Sequence, residues 1–94
     1  MTKYLVRKNA FILFQGEKGF PYTATMEKGG TIEVENDTVR YIDVGTLVCR
    51  IMNCGIPYGR LEEHKSVKKL TVGEDYISYT HGDTIFRVRN IQKI

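Results

Sequence analysis

The chain has 94 residues, of which 41% are hydrophobic and 27% are charged, and its formal net charge is +3 at pH 7. These values predict one small globular domain over residues 1–94, with room for a single modest core. No apolar run approaches the roughly 20 residues that a membrane-spanning helix needs. The first 15 residues mix polar and apolar side chains and have no long apolar h-region or small-residue cleavage site, which is unlike a signal peptide. We therefore expect a cytoplasmic protein with no membrane association.

The charges are unevenly distributed along the chain. Residues 1–15 and 84–94 contain basic side chains and no acidic one, whereas the residues between them have a formal charge of −3. This pattern predicts a molecule with a basic side and an acidic side, although solvated strands also need outward charges.

The first elements predicted along the chain are β-strands. Residues 3–8 and 10–15 predict two strands that are separated near Asn9-Ala10. Residues 22–42 predict a three-stranded meander. Its first turn is assigned to a three-residue loop at 28–30, because this loop opposes Met26 to Ile32 and supplies the glycine that such loops favour.

The second turn of this meander is predicted at Asn36-Asp37, a pair suited to a two-residue type I′ loop. This loop length opposes Val34 to Val39 on the inner side. It also opposes Glu33 to Arg40 on the outer side, which would form a cross-strand ion pair.

The middle of the chain is predicted to be helical. Apolar residues recur at helical spacing between Thr46, which can cap a helix, and Gly55 and Pro57, which can end one, so we expect a short α-helix over 46–54. A buried strand is the alternative, since Val, Cys and Ile also suit strands. Residues 58–67 are predicted to be irregular.

Two cysteines and two histidines raise the question of a metal site. The spacing of Cys49, Cys54, His64 and His81 departs from that of zinc fingers. On a helix the two cysteines would lie about 140° apart, too far for a shared ligand or bond. We expect buried thiols, solvated histidines, and neither a metal nor another cofactor.

Residues 68–90 predict a second three-stranded meander. A Gly73-Glu74 loop opposes Leu70 to Ile77, and a His81-Gly82 loop opposes Ile77 to Phe86. The inner face of this meander is predicted to contain Leu70, Val72, Ile77, Phe86 and Val88. The outer face is predicted to contain Lys69, Thr71, Tyr76, Ser78, Ile85, Arg87 and Arg89, with Tyr76 opposite Arg87.

The predicted fold class is mainly β, a small antiparallel barrel or two-layer sandwich built from two three-stranded meanders with one short α-helix between them. Residues expected to be inward and buried are Ile32, Val34, Tyr41, Leu70, Ile77 and Phe86. Residues expected to point outward are Glu33, Arg40, Tyr76 and Arg87.

The sequence favours binding over catalysis. Neither of its two serines, Ser66 and Ser78, lies in a nucleophile motif, so we expect no enzymatic activity. Tyrosine and arginine on a rigid strand face are typical of protein contact surfaces. The residues assigned to the binding surface are Tyr76, Arg87 and Arg89, with Lys69 at the edge, and Lys3 and Arg7 if the first strand lies beside the last.

The expected function is therefore that of a small adaptor, subunit or inhibitor that acts on a protein partner. A compact phage or mobile-element product would have this size. Nucleic acid is the first alternative, because Tyr76 could stack on bases while the arginines contact phosphates. A small anionic ligand, held in a cleft between subunits, is the second, and homo-oligomerisation is compatible with each.

Overall fold

The computed structural model describes residues 1–16, 22–51, 54–60 and 62–94, and all regular secondary structure in them is β-strand. The strands, in chain order, are β1 Thr2–Gly16, β2 Tyr22–Met26, β3 Gly30–Glu35, β4 Thr38–Ile42, β5 Thr46–Ile51, β6 Cys54–Arg60, β7 Glu63–His64, β8 Lys68–Val72, β9 Tyr76–His81 and β10 Thr84–Lys93. They form one antiparallel sheet that curls into a half-barrel. The prediction of a mainly-β, barrel-like fold is thus confirmed. Within this part of the chain, no helix is long and apolar enough to cross a membrane.

The sheet is organised around β1, which at 15 residues is the longest strand in the described part of the chain. On one edge β1 pairs with β10, and on the other it pairs with β2 through residues 11–14 and with β3 through residues 2–6. Both pairings on that second edge have the same register, so that β2 and β3 form one interrupted strand opposite β1. The two N-terminal strands predicted at 3–8 and 10–15 are accordingly one strand with a register shift between Val6 and Phe11.

The predicted hairpin between β2 and β3 is wrong. These strands do not pair with each other, and Met26 pairs with Leu47 of β5 instead of Ile32. The long partner strand explains this outcome, because β1 offers hydrogen-bonding positions to both strands in succession. The assignment of faces was nevertheless correct, since Ala24, Met26 and Ile32 are all buried.

The glycines at this interruption serve close backbone packing instead of a left-handed turn. A Cβ on Gly30 would lie 2.3 Å from the carbonyl oxygen of Ile42, and one on Gly29 would lie 2.7 Å from that of Val6. Neither residue has a positive φ. Because the obstructing atoms belong to the backbone, they cannot move aside without disturbing the strand pairing.

The predicted helix at 46–54 is also wrong. Residues 46–51 form β5, which extends the sheet from β2, and β6 pairs antiparallel with β5. The edge of β2 accepts β5 because β2 is not occupied by β3, and Val, Cys and Ile suit this position. Pro57 lies in β6, at the end of the strand order, where a missing backbone donor costs little. The expected angle of about 140° between Cys49 and Cys54 assumed a helix, so it does not apply to these residues.

The β3–β4 hairpin agrees with its prediction. Asn36 and Asp37 form the two-residue turn, and Val34 pairs with Val39 while Glu33 pairs with Arg40. Only Asn36 has a positive φ, 54°, so the turn is not of the predicted type I′, which needs two.

The second meander, β8–β9–β10, is confirmed with altered registers. Ile77 pairs with Val72 and Val88, where Leu70 and Phe86 were predicted. Each register differs by two residues, because β8 and β9 are joined by residues 73–75 and β9 and β10 by residues 82–83. A shift of two preserves the face of every side chain. Val72 is exposed despite its inward assignment, beside an irregularity of β8 where Lys69 has a φ of 54°.

The core lies on the concave side of the half-barrel. Its largest fully buried side chains are Tyr4, Tyr79, Ile12, Ile32, Ile77, Val6, Val39, Val44 and Val88. Among the residues predicted to be inward, Ile32, Val34, Tyr41 and Ile77 are buried, and Leu70 and Phe86 pack against the core while partly exposed.

Replacing Gly30 by alanine tests the interrupted strand. We expect a loss of at least about 2 kcal/mol in the free energy of unfolding, because the added methyl group meets fixed backbone atoms. The matched control is Gly16→Ala, since none of the described residues beyond its chain neighbours lies within 4 Å of a Cβ there and φ is not positive. It should change stability by less than about 1 kcal/mol. Equal effects in urea denaturation would contradict the close approach.

Candidate binding surface

The convex side of the sheet presents six residues on three adjacent strands, which we call the outer face: Phe11, Leu13, Tyr76, Ile85, Arg87 and Arg89. Strand register arranges them in rows. Phe11 pairs with Arg89, which pairs with Tyr76, so that one row runs from β1 across β10 to β9. Leu13 pairs with Arg87 in the adjacent row. Side chains directly opposite on one sheet face are about 5 Å apart at Cβ, so members of a row are neighbours.

The outer face combines apolar surface with free positive charge. Tyr76 and Ile85 are 40% and 42% exposed, and both arginines are exposed. Phe11 and Leu13 are half-buried between the strands that flank them. Among the described residues, no carboxylate lies within ion-pair distance of Arg87 or Arg89.

The ring of Tyr76 is held in place by the turn that precedes β9. It lies over Gly73, where an added Cβ would be 2.2 Å from a ring carbon. The amide of Gly73 donates to the carbonyl of Tyr76 at 2.9 Å, and the buried Tyr4 hydroxyl donates to the carbonyl of Gly73 at 2.6 Å. The exposed tyrosine is therefore anchored to the core through the backbone.

The structure brings together three of the six predicted site residues. Tyr76, Arg87 and Arg89 share the outer face, although Tyr76 pairs with Arg89 where Arg87 was predicted. Lys69 is exposed on the neighbouring β8. Lys3 and Arg7 were assigned to the surface on the condition that the first strand lies beside the last, and β1 does pair with β10. Arg7, however, donates a 2.6 Å hydrogen bond to the side-chain oxygen of Gln92.

Lys3 belongs to a different feature, a ladder of alternating charges across β1, β3, β4 and β7. Its Nζ lies 3.6 Å from Glu33, and Arg40 lies 3.9 Å from Glu33 and 3.3 Å from Glu63. Lys65 ends the ladder, 3.4 Å from Glu63. The hydrogen bond from Arg40 lowers the pKa of the Glu63 carboxyl. Lys3 is thus paired with an acid and does not extend the outer face.

Sequence reasoning missed Phe11 and Leu13. They lie in an apolar run, residues 10–14, that reads as a buried strand without a polar face. The structure separates this run by alternation, with Ala10, Ile12 and Phe14 buried and the two odd-numbered residues outward. Only the pairing of β1 with β10 places Phe11 and Leu13 beside the two arginines, and this pairing could not be read from the sequence of the run itself.

A second cluster lies on the concave side, where β7 meets β9 and β10. The His64 ring stacks on His81 at a centroid distance of 4.4 Å and lies 4.7 Å from Phe86. Its Nδ1 is 2.7 Å from the Tyr79 hydroxyl, which is 2.5 Å from that of Tyr41. Both histidines are half-buried, so the prediction of solvated histidines is wrong.

Burial determines the protonation of this cluster. It lowers the pKa of His64 to about 4, with a smaller contribution from His81. Burial also raises the pKa of Tyr41 and Tyr79 well above the usual value. His64 and both tyrosines are therefore neutral near pH 7, and they join β4, β7 and β9 by hydrogen bonds. The described residues contain no group of three or more side chains suited to hold a metal ion.

The lowered pKa of His64 predicts a loss of stability in acid. The unfolded state, with a pKa near 6.5, takes up a proton that the folded state resists, so stability is complete above pH 6.5 and falls toward pH 4. Allowing for the partial exposure of the ring, we expect about 1–2 kcal/mol to be lost between pH 7 and 4.5.

Urea denaturation at the two pH values measures this loss. The matched control is His64→Gln, which cannot be protonated, so it should lose about 1–2 kcal/mol less than the wild type over this interval. Identical pH dependence of the two proteins would show that His64 is not protected in the folded state.

Comparison with known proteins gives no relative: no family model, curated protein or solved structure matches this chain.

Proposed function

We propose that this protein is a non-catalytic binding module that acts in the cytoplasm on a protein partner, and that it contacts the partner through the outer face. The observation that supports this most is the position of the guanidinium groups of Arg87 and Arg89 among exposed apolar side chains, without an ion pair to any described residue. A surface arginine without an ion pair is ordinary in proteins. Here, however, both arginines lie beside aromatic and aliphatic side chains, and burial of these apolar groups against a partner would be favourable.

The composition of the outer face is that of a protein contact surface. Tyrosine, phenylalanine and arginine are enriched at the centres of such interfaces, and lysine and acids are depleted there. All six residues of the face lie on paired strands, so little conformational entropy is lost when a partner binds. The basic and apolar groups together suit a partner surface that is acidic with apolar residues between its acids.

Nucleic acid fits less well, because the basic side chains that the structure describes are not gathered in one place. Lys3 is paired with Glu33, and Arg7 is bonded to Gln92. Two arginines remain on the outer face, with Lys68 and Lys69 on the adjoining strand. Nucleic-acid sites usually combine more phosphate contacts than these residues would make. A small anionic ligand would use the same arginines and leave the apolar part of the face uncovered.

The double variant Arg87→Ala/Arg89→Ala tests the proposal. Because both side chains are exposed and form no ion pair within the described part of the chain, each replacement should change stability by less than about 0.5 kcal/mol. Capture of the partner from lysate of the source organism should fall at least about tenfold, as expected for loss of anchoring residues. The control Lys28→Ala/Lys65→Ala removes the same charge from outside the outer face and should capture normally.

The salt dependence of capture distinguishes the partner classes. A protein partner should bind with a shallow dependence on salt and should also be lost when Phe11 is replaced by serine. A nucleic acid should show affinity that falls steeply with salt, with a slope reduced by about one for each phosphate contact removed. If the double arginine variant captures its partner at wild-type strength, these residues are only a solvated surface.

A further inference from the structure

The outer face contains a pocket of about 380 Å³ at the end of its aromatic row, lined by Phe11, Asp75, Tyr76, Arg89 and Asn90. Phe11 and Tyr76 lie on strands that flank β10, two strand spacings apart, with Arg89 between them. Two spacings are about 10 Å, which leaves room for one planar ring between the two aromatic side chains or above the guanidinium.

The pocket is preformed by the turn that leads into β9. The backbone of this turn is tied to β10, because the amides of Ile91 and Lys93 donate to the carbonyls of Asp75 and Glu74 at 3.3 and 2.9 Å. Gly73 fixes the position of the Tyr76 ring, since any side chain at residue 73 would occupy the same space. Gly73 is thus a positioning residue for this pocket.

The polar groups of the pocket restrict which chemical groups a ligand can place in it. Arg89 presents a guanidinium without an ion pair among the described residues, which suits a carboxylate or a phosphate. Asp75 adds a negative charge to the same pocket, which raises the cost of binding a doubly charged phosphate. Its carboxylate can instead accept a hydrogen bond from a hydroxyl or an indole N–H.

We infer that this pocket receives a tyrosine or tryptophan side chain of the partner, next to a carboxylate of the same partner segment. The ring would pack against Phe11 and Tyr76, its O–H or N–H would donate to Asp75, and the carboxylate would pair with Arg89. This inference rests on the proposed function, because it specifies which element of a protein partner the outer face recognises: an acidic segment with one aromatic anchor.

Short peptides added to the ¹⁵N-labelled full chain test the inference. The probe is acetyl-Asp-Tyr-Asp-amide, and its controls are acetyl-Asp-Ala-Asp-amide, which lacks the ring, and acetyl-Lys-Tyr-Lys-amide, which reverses the charge. We expect saturable amide shifts around Phe11, Tyr76 and Arg89 with the probe. Either control should bind at least about tenfold more weakly.

Variants of the chain separate a recognition pocket from a nonspecific apolar surface. Tyr76→Ala should weaken probe binding at least about tenfold, and Tyr76→Phe, which keeps the ring, should stay within about twofold. Gly73→Ala should weaken it at least about threefold while the fold is retained, because the three atoms nearest to the added methyl group all belong to the ring of Tyr76. Equal binding by wild type and Gly73→Ala would contradict the positioning role.

The remaining outcomes distinguish this inference from the proposed function. Equal binding of the tyrosine and alanine peptides would overturn the aromatic anchor while lysate capture by the outer face could still succeed. Tighter binding of thymidine monophosphate than of the probe, strengthened by Asp75→Ala, would identify a nucleotide site and overturn the inference. Selective binding of the probe without lysate capture would support the pocket and reject the wider contact surface.

Discussion

The structure depends on the pairing of β1 along both of its edges. Fifteen residues of continuous strand allow β2 and β3 to attach in succession on one side while β10 attaches on the other. A second strand at each edge then follows from the unused hydrogen-bonding groups of the first: β5 on β2, β4 on β3 and β9 on β10. Because side chains alternate along β1, the same strand contributes Ile12 to the core and Phe11 to the outer face.

The curl of the sheet is maintained by contacts across its concave side. Tyr41 on β4 meets Tyr79 on β9 through their hydroxyl groups, and His64 on β7 packs on rings from β9 and β10. These contacts join two arms of the sheet that are not adjacent in strand order. The hydroxyl groups of Tyr41 and Tyr79 bond to each other and that of Tyr79 also bonds to His64, so burial does not leave these hydroxyl groups unsatisfied.

Side-chain faces could be predicted from this sequence more reliably than strand partners. Alternation assigned Ile32, Val34 and Ile77 to the core correctly even where the register was wrong by two residues, because a shift of two preserves the face. Partners depend on which edges are free, which is a property of the whole sheet. Met26 illustrates this: its local sequence fits a hairpin with β3, and only the length of β1 makes β5 its neighbour.

The difference between predicting side-chain faces and predicting strand partners also explains which residues of the candidate surface the sequence identified. Tyr76, Arg87 and Arg89 are close in sequence and share a face under either register, so local reasoning sufficed. Phe11 joins them through a pairing across 78 positions of the chain, and Lys3 leaves them because Glu33 lies opposite it on the other edge of β1. The prediction of a helix at 46–54 was wrong for a related reason. Val, Cys and Ile suit a strand as well as a helix, and the free edge of β2 gives residues 46–51 a strand to pair with.

The most direct test of this account is a measurement of the cross-strand nuclear Overhauser effects of Arg89 in solution. We predict contacts from Arg89 to both Phe11 and Tyr76, because the three residues form one row of the outer face. Contacts of Tyr76 with Arg87 instead would place β9 in the register predicted for a His81-Gly82 turn, and the absence of contacts between Phe11 and Arg89 would contradict the pairing of β1 with β10. That result would separate the aromatic residues from the arginine and contradict the surface described above.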